Sequence, residues 1–173
     1  MKTTSRRQIL TTLIWLIFVS DLFGHSITDQ VEYISRSDTT NPSYRLLTDS
    51  TSTLLYGEYC GLDGQDQPAG RLAIEDLIAK KQFSLIKELL DSQNNEGRVY
   101  AIEALLDLNR NGIINLSSFD KKKIIRIIEK DFEIFRCLGC EYETIDSSDL
   151  FQEQKFQDLL NSNEIKITIA NTK

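Results

Sequence analysis

Hydrophobic positions recur at helical spacing through most of the chain. The most regular run is Val99, Ile102, Leu105, Leu106 and Leu108, with Ala101 and Ala104 among them. This spacing predicts a helix over residues 96–108, and its small alanines let a second helix approach closely. Asn111-Gly112 supplies an αL stop. Upstream, Leu72, Ile74, Leu77 and Ile78 predict a helix over residues 69–81, preceded by Pro68, which suits a first helical turn. Leu85, Ile86, Leu89 and Leu90 predict another from Ser84, a capping residue type, until the polar run 92–97 breaks it. Downstream, Ser117 with Asp120 has the spacing of a capping box in front of Ile124, Ile125, Ile127 and Ile128. Ser147, Ser148 and Asp149 precede Leu150, Phe151, Phe156, Leu159 and Leu160, which predict one last helix. Residues 132–137 and 165–169 alternate with period two and read as short strands. The expected fold class is mainly α: a short helical-hairpin bundle of four to five helices with a minor C-terminal strand element.

The N-terminal pattern is different. Residues 9–19 form an apolar run of eleven, behind Lys2, Arg6 and Arg7 and ended by Asp21. A permanent span needs about twenty apolar residues. The run therefore reads as an export signal over residues 1–26, with Gly24 and Ser26 as the small residues of a cleavage site. The alternative is a membrane anchor formed by residues 9–19. Residues 27–55 are rich in Ser, Thr and Asp and read as a flexible lead-in with two apolar islands, 31–34 and 44–47. Gly57, Gly61, Gly64 and Gly70 surround Cys60 in a turn-rich stretch that reads as an ordered loop. The expected division is 1–26 export signal, 27–55 lead-in, 56–145 helical domain, and 146–173 C-terminal helix and strand.

Within the central helices, Leu89-Leu90-Asp91 closes one element, and Arg98-Val99, Ala101, Ala104 and Leu105 open the next. This resembles a HEAT-type helical repeat over residues 84–108. The resemblance implies a packed helix pair and no activity. One repeat falls short of the three or more that a solenoid needs. The order of Gly57-Glu58-Tyr59-Cys60-Gly61, a helix pair, then Cys137-Leu138-Gly139-Cys140 also resembles a group of uncharacterised exported bacterial proteins. That resemblance implies location and fold alone.

Charge narrows the partner class. The 173-residue chain carries a formal net charge of −6. Removing residues 1–26 takes away three basic residues and one acidic residue, which gives −8. This balance argues against a sequence-independent grip on nucleic acid and against docking on an anionic membrane. Membrane attachment is expected only through an uncleaved N-terminal segment. The expected partner is another protein, and the acidic balance favours a basic one. The one histidine, His25, lies in the export segment, so the exported chain lacks the commonest general base and metal ligand.

Three places offer chemistry. Cys60, Cys137 and Cys140 all follow the export segment, so a disulfide is expected, joining Cys60 to Cys137 or Cys140, or Cys137 to Cys140. Cys137 and Cys140 also form a C-x-x-C, which keeps a thiol-active accessory role as the alternative. The carboxylates of Glu141, Glu143, Asp146 and Asp149 would raise a thiol pKa there, the wrong direction for a reactive thiolate. A zinc site would need a further Cys or His. Asp107, Asn109, Asn111 and Asn115, with Gly112, follow the first half of a calcium loop. Position twelve of that loop is Ser118 where an acidic residue is expected, so any affinity would be weak. Glu75, Asp76, Glu88 and Asp91 fall on helices and read as a solvated acidic face. No Ser/His/Asp, Walker or Rossmann pattern is present. The expectation is an exported, periplasmic or secreted, non-enzymatic binding domain with no catalytic residue and no cofactor.

Overall fold

The computed structural model describes residues 40–61 and 66–167. The expected export segment, the apolar island 31–34 and residues 168–169 of the expected terminal strand lie outside that range. The first helix, α1 (Pro42–Thr48), begins where Pro42 takes the first turn and Asn41 Oδ1 accepts hydrogen bonds from the Ser43 and Tyr44 amides at 2.9 and 3.1 Å. Residues 41–55 are therefore not a loose tether. Leu47 and Leu54 are buried in the core. Composition misled here because a seven-residue helix needs only one fully buried side chain.

Helix α2 (Ala69–Ala79) and the short α3 (Phe83–Glu88) follow, the latter extended by a 3-10 turn over Leu89–Asp91. The HEAT-like pattern thus maps onto α3 and the long central helix α4 (Asn95–Arg110). Asn94 begins α4 by accepting from the Gly97 amide at 2.8 Å. The end of α4 is a Schellman motif: Gly112 N–H reaches Asn109 O at 3.0 Å and Ile113 N–H reaches Leu108 O at 2.9 Å, with Gly112 at φ +69°. Ten of its sixteen residues are buried, so α4 is enclosed on nearly every side rather than on one stripe. Helices α1, α2 and α3 and the later helix Gln154–Ser162 all pack against it.

Gly97 is where α1 meets α4. A Cβ at Gly97 would lie 2.0 Å from the backbone oxygen of Leu47, which also accepts from Ser92 Oγ at 3.1 Å. Helix propensity alone predicts that Gly97→Ala gains up to about 1 kcal/mol. The packing instead predicts a loss of about 1–3 kcal/mol, as in an overpacked core. The urea midpoint of the alanine variant decides between them.

Helix α5 (Ser118–Ile128) carries the expected capping box in full: Asp120 N–H donates to Ser117 Oγ at 3.1 Å and Ser117 N–H to Asp120 Oδ2 at 3.1 Å. A hairpin follows, β1 (Glu133–Leu138) and β2 (Glu141–Asp146), antiparallel with Leu138 opposite Glu141. Its two-residue loop has Gly139 first, at φ +60°, as a type II′ turn requires. β2 has no apolar alternation, so periodicity could not find it. The turn and the β1 partner define it. On the other side of β1 runs the stretch around Tyr56: Tyr56 N–H donates to Phe135 O at 2.7 Å, and Cys137 N–H donates to Tyr56 O at 2.9 Å.

The expected single last helix is two, α6 (Ser147–Gln152) and α7 (Gln154–Ser162), because Glu153 is extended at φ −58°, ψ 143°. The described residues thus hold seven α-helices rather than four to five, and the class is mainly α with a small two-stranded sheet. Residues 165–167 are irregular rather than a strand, and Ile165 is buried. Phe151, Phe156, Leu159 and Leu160 join the same core as Leu105 and Leu106, so the boundary expected at 145/146 does not divide the core. Among the described residues no helix is long and apolar enough to cross a membrane.

Candidate functional site

The C-x-x-C does not open a helix. Cys137 ends the buried part of β1, and Cys140 is the second residue of the hairpin turn. Cys137 is bonded to Cys60, 77 residues earlier, with a Cα–Cα distance of 5.6 Å. Of the pairings open in the sequence, this one ties the loop to the hairpin. Cys140 is not part of the bond. It is exposed, and its thiol donates to Gly61 O at 3.4 Å. Gly57 packs under the bond: a Cβ there would sit 2.6 Å from Cys137 O and 2.8 Å from Cys137 Sγ. Disulfides of this kind form in oxidising compartments.

Beneath the bond lies a buried charge cluster that the sequence did not reveal. Glu103, on the middle of α4, is the centre. Its Oε2 accepts from Tyr56 Oη at 2.8 Å and from Arg71 Nη2 at 2.9 Å. Its Oε1 pairs with Lys155 Nζ at 2.7 Å, and Lys155 also reaches Glu58 Oε1 at 2.6 Å. Arg71 Nε donates to Gly57 O at 3.2 Å, and its guanidinium lies 4.9 Å from the centre of the Tyr100 ring. Tyr100 Oη donates to Leu55 O at 2.8 Å and accepts from Gly57 N–H at 3.1 Å. Helices α2 and α7 and the loop converge on one carboxylate of α4.

Burial works against the charge on Glu103, but Arg71 and Lys155 outweigh it and hold its carboxyl below the usual glutamate value. Burial, aided by the nearby Glu103 charge, pushes the Tyr56 hydroxyl well above the ordinary tyrosine value. Burial likewise raises Tyr100. Both phenols therefore stay protonated and serve as fixed donors. The sequence signal was a carboxylate inside a helix, flanked by the apolar residues 99–102 and 104–106. Such a residue must be paired once the helix is buried.

Next to this cluster opens a cavity of about 320 Å³, lined by Tyr56, Glu58, Tyr59, Arg136, Cys137 and Lys155, among others. Arg136 is held by Glu143, at 2.6 Å from Nη2, and by Glu153. The ionic groups around the cavity are thus largely paired with one another.

The calcium-loop residues are tied up in the fold. Asn109 Oδ1 accepts from Leu116 N–H at 2.7 Å, and its amide donates to Asn163 Oδ1 at 2.6 Å. Asn111 donates to Asp107 Oδ2 at 3.0 Å, and Arg110 pairs with the other Asp107 oxygen. Asn115 is exposed. A cation would have to displace these bonds. The helix carboxylates are likewise engaged: Asp76 with Ser43 and Lys80, Asp91 with Lys123, Glu88 with Tyr44.

Among the described residues, Leu72, Ile113 and Phe119 are exposed singly on other elements, and four further large side chains lie on or beside the hairpin. Tyr59 is 50% exposed, Phe135 46%, Leu138 54% and Tyr142 58%, all on the disulfide-tied loop and hairpin. Comparison with protein-family models, with curated proteins and with solved structures gave no match.

Proposed function

We propose that this chain is an exported, disulfide-stapled domain that acts by binding another protein. The observation that carries this reading is that Phe135 and Tyr142 are exposed on one face of the acidic hairpin, with Leu138 exposed on its other face and Tyr59 on the loop bonded to its turn. Monomeric surfaces scatter such residues singly, and a group of exposed aromatic side chains is typical of recognition surfaces. The Cys60–Cys137 bond supports a periplasmic or secreted location, reached through the signal expected over residues 1–26. In this reading α3 and α4 are one HEAT-like unit serving as scaffold, and the acidic surroundings favour a basic partner.

The test is to purify the protein from its native compartment without reductant and identify its N-terminus and any co-purifying protein by mass spectrometry. The expected result is a chain beginning near Ile27 with a stoichiometric partner. Phe135→Ala with Tyr142→Ala should lose that partner while leaving the unfolding midpoint within about 0.5 kcal/mol, as for ordinary surface changes. Redox or hydrolytic turnover that disappears in Cys140→Ser or in a carboxylate variant would overturn the reading.

A further inference from the structure

The hairpin has one closed and one open side. β1 is covered on both edges, by β2 and by the stretch around Tyr56. β2 is bonded to β1 alone among the described residues, and only Ile145 of its six residues is even partly buried. An edge strand of this length presents a row of outward amide and carbonyl groups, a ready template for a further strand. Natural proteins usually blunt such an edge with charged side chains, proline or a bulge. β2, reading Glu-Tyr-Glu-Thr-Ile-Asp, has no proline and no bulge, and its charges are all negative, so they repel a second copy of β2 and attract a basic strand.

The register shows what an added strand would meet. Phe135 lies opposite Thr144 and Cys137 opposite Tyr142, so Phe135 and Tyr142 share one face as diagonal neighbours. Glu133 and Asp146 form a cross-strand pair on that same face, and Glu141 stands at the turn end. Glu143 is taken by Arg136. Glu133, Glu141 and Asp146 are all exposed. Two aromatic rings with a carboxylate pair at one end of their face suit arginine or lysine side chains, which bind carboxylates by charge and aromatic faces by cation–π attraction.

We propose that the outer edge of β2 accepts an extended, basic segment of another protein as an added strand. The inference rests on the protein-binding reading and supplies its mode. Main-chain hydrogen bonds would give affinity, and basic side chains at alternate positions would give selectivity.

The probe is a synthetic decapeptide alternating Arg and Val, titrated into the full chain and followed by amide hydrogen exchange. A second peptide of the same sequence carries N-methyl groups on every backbone amide and cannot pair as a strand from either edge. The expected result is protection of alternate β2 amides with the first peptide, and binding weaker by about tenfold or more with the second, as expected when several hydrogen bonds are lost. Glu141→Lys with Asp146→Lys should weaken the first peptide and leave the fold intact, since neither carboxylate holds another side chain. Equal binding of both peptides without protection of β2 would overturn strand addition and leave the protein-binding reading standing. Binding of neither peptide would overturn it as well, while the co-purification test judges the broader reading independently.

Discussion

Replacing Cys60 and Cys137 together by alanine is expected to lower stability by about 4 kcal/mol, near the upper end of what losing a native disulfide costs. The bond closes a loop 77 residues long. A loop of that length confines the unfolded chain strongly, and the chain-entropy argument gives about 4–5 kcal/mol for it. Alanine is the right replacement because Cys137 is fully buried, and serine would add an unpaired hydroxyl there. The melting midpoint should fall by roughly 10–20 °C for a domain of this size. Reductant added to the unmodified protein should reproduce the fall, and the variant should ignore reductant. Loss should be greatest at the hairpin, because the bond is its covalent link to the loop at 57–61. An unchanged midpoint would show that the hydrogen bonds of Tyr56 to β1 hold the hairpin unaided.

Helices α4 and α5 were legible because their apolar positions recur over several turns and their caps are specific. Asn111-Gly112 and Ser117 with Asp120 did in the structure what their spacing predicted. What escaped was everything set by tertiary partners. β2 is acidic and exposed, and exists because Gly139 turns the chain back onto β1. Helix α1 looked like a tether because its one fully buried anchor, Leu47, sits among polar residues. The last helix broke at Glu153, whose side chain is drawn to Arg136 on β1. The cysteines were singled out by type, but three pairings were open, since spacing does not report which thiols meet in space. Glu103 was hidden for a related reason. Its partners Tyr56, Arg71 and Lys155 come from the loop, α2 and α7, and periodicity within one helix carries no trace of them.

That cluster gives the second large effect. Glu103→Gln should destabilise the domain by about 3 kcal/mol, within the range found when one member of a buried ion pair is removed. The neutral amide leaves Arg71 buried without its counter-charge. Lys155 suffers less, because it is half-exposed and keeps Glu58. This places the cost toward the low end of the range. The pH dependence follows from the direction of the shift. The folded carboxyl titrates below its ordinary value of 4.5, so the folded state binds its proton less readily than the unfolded state does. Its contribution is complete above that ordinary value and disappears as pH falls through the lower, folded one. Urea midpoints measured from pH 6 downward should therefore fall steeply in the native protein and less steeply in Glu103→Gln. The alkaline side runs the other way. Tyr56 is raised above its ordinary value of 10.0, so its contribution is complete below that pH and is lost as pH rises toward the folded value. Glu103→Gln should soften that loss too, because part of the Tyr56 shift comes from the Glu103 charge. Exchanging the buried pair for apolar residues, Glu103→Leu with Arg71→Met, should recover much of the stability, since a buried ion pair is worth little against well-packed apolar groups. If the single and double variants were equally unstable, the charges would be dispensable and the loss would come from packing around Tyr56 and Tyr100.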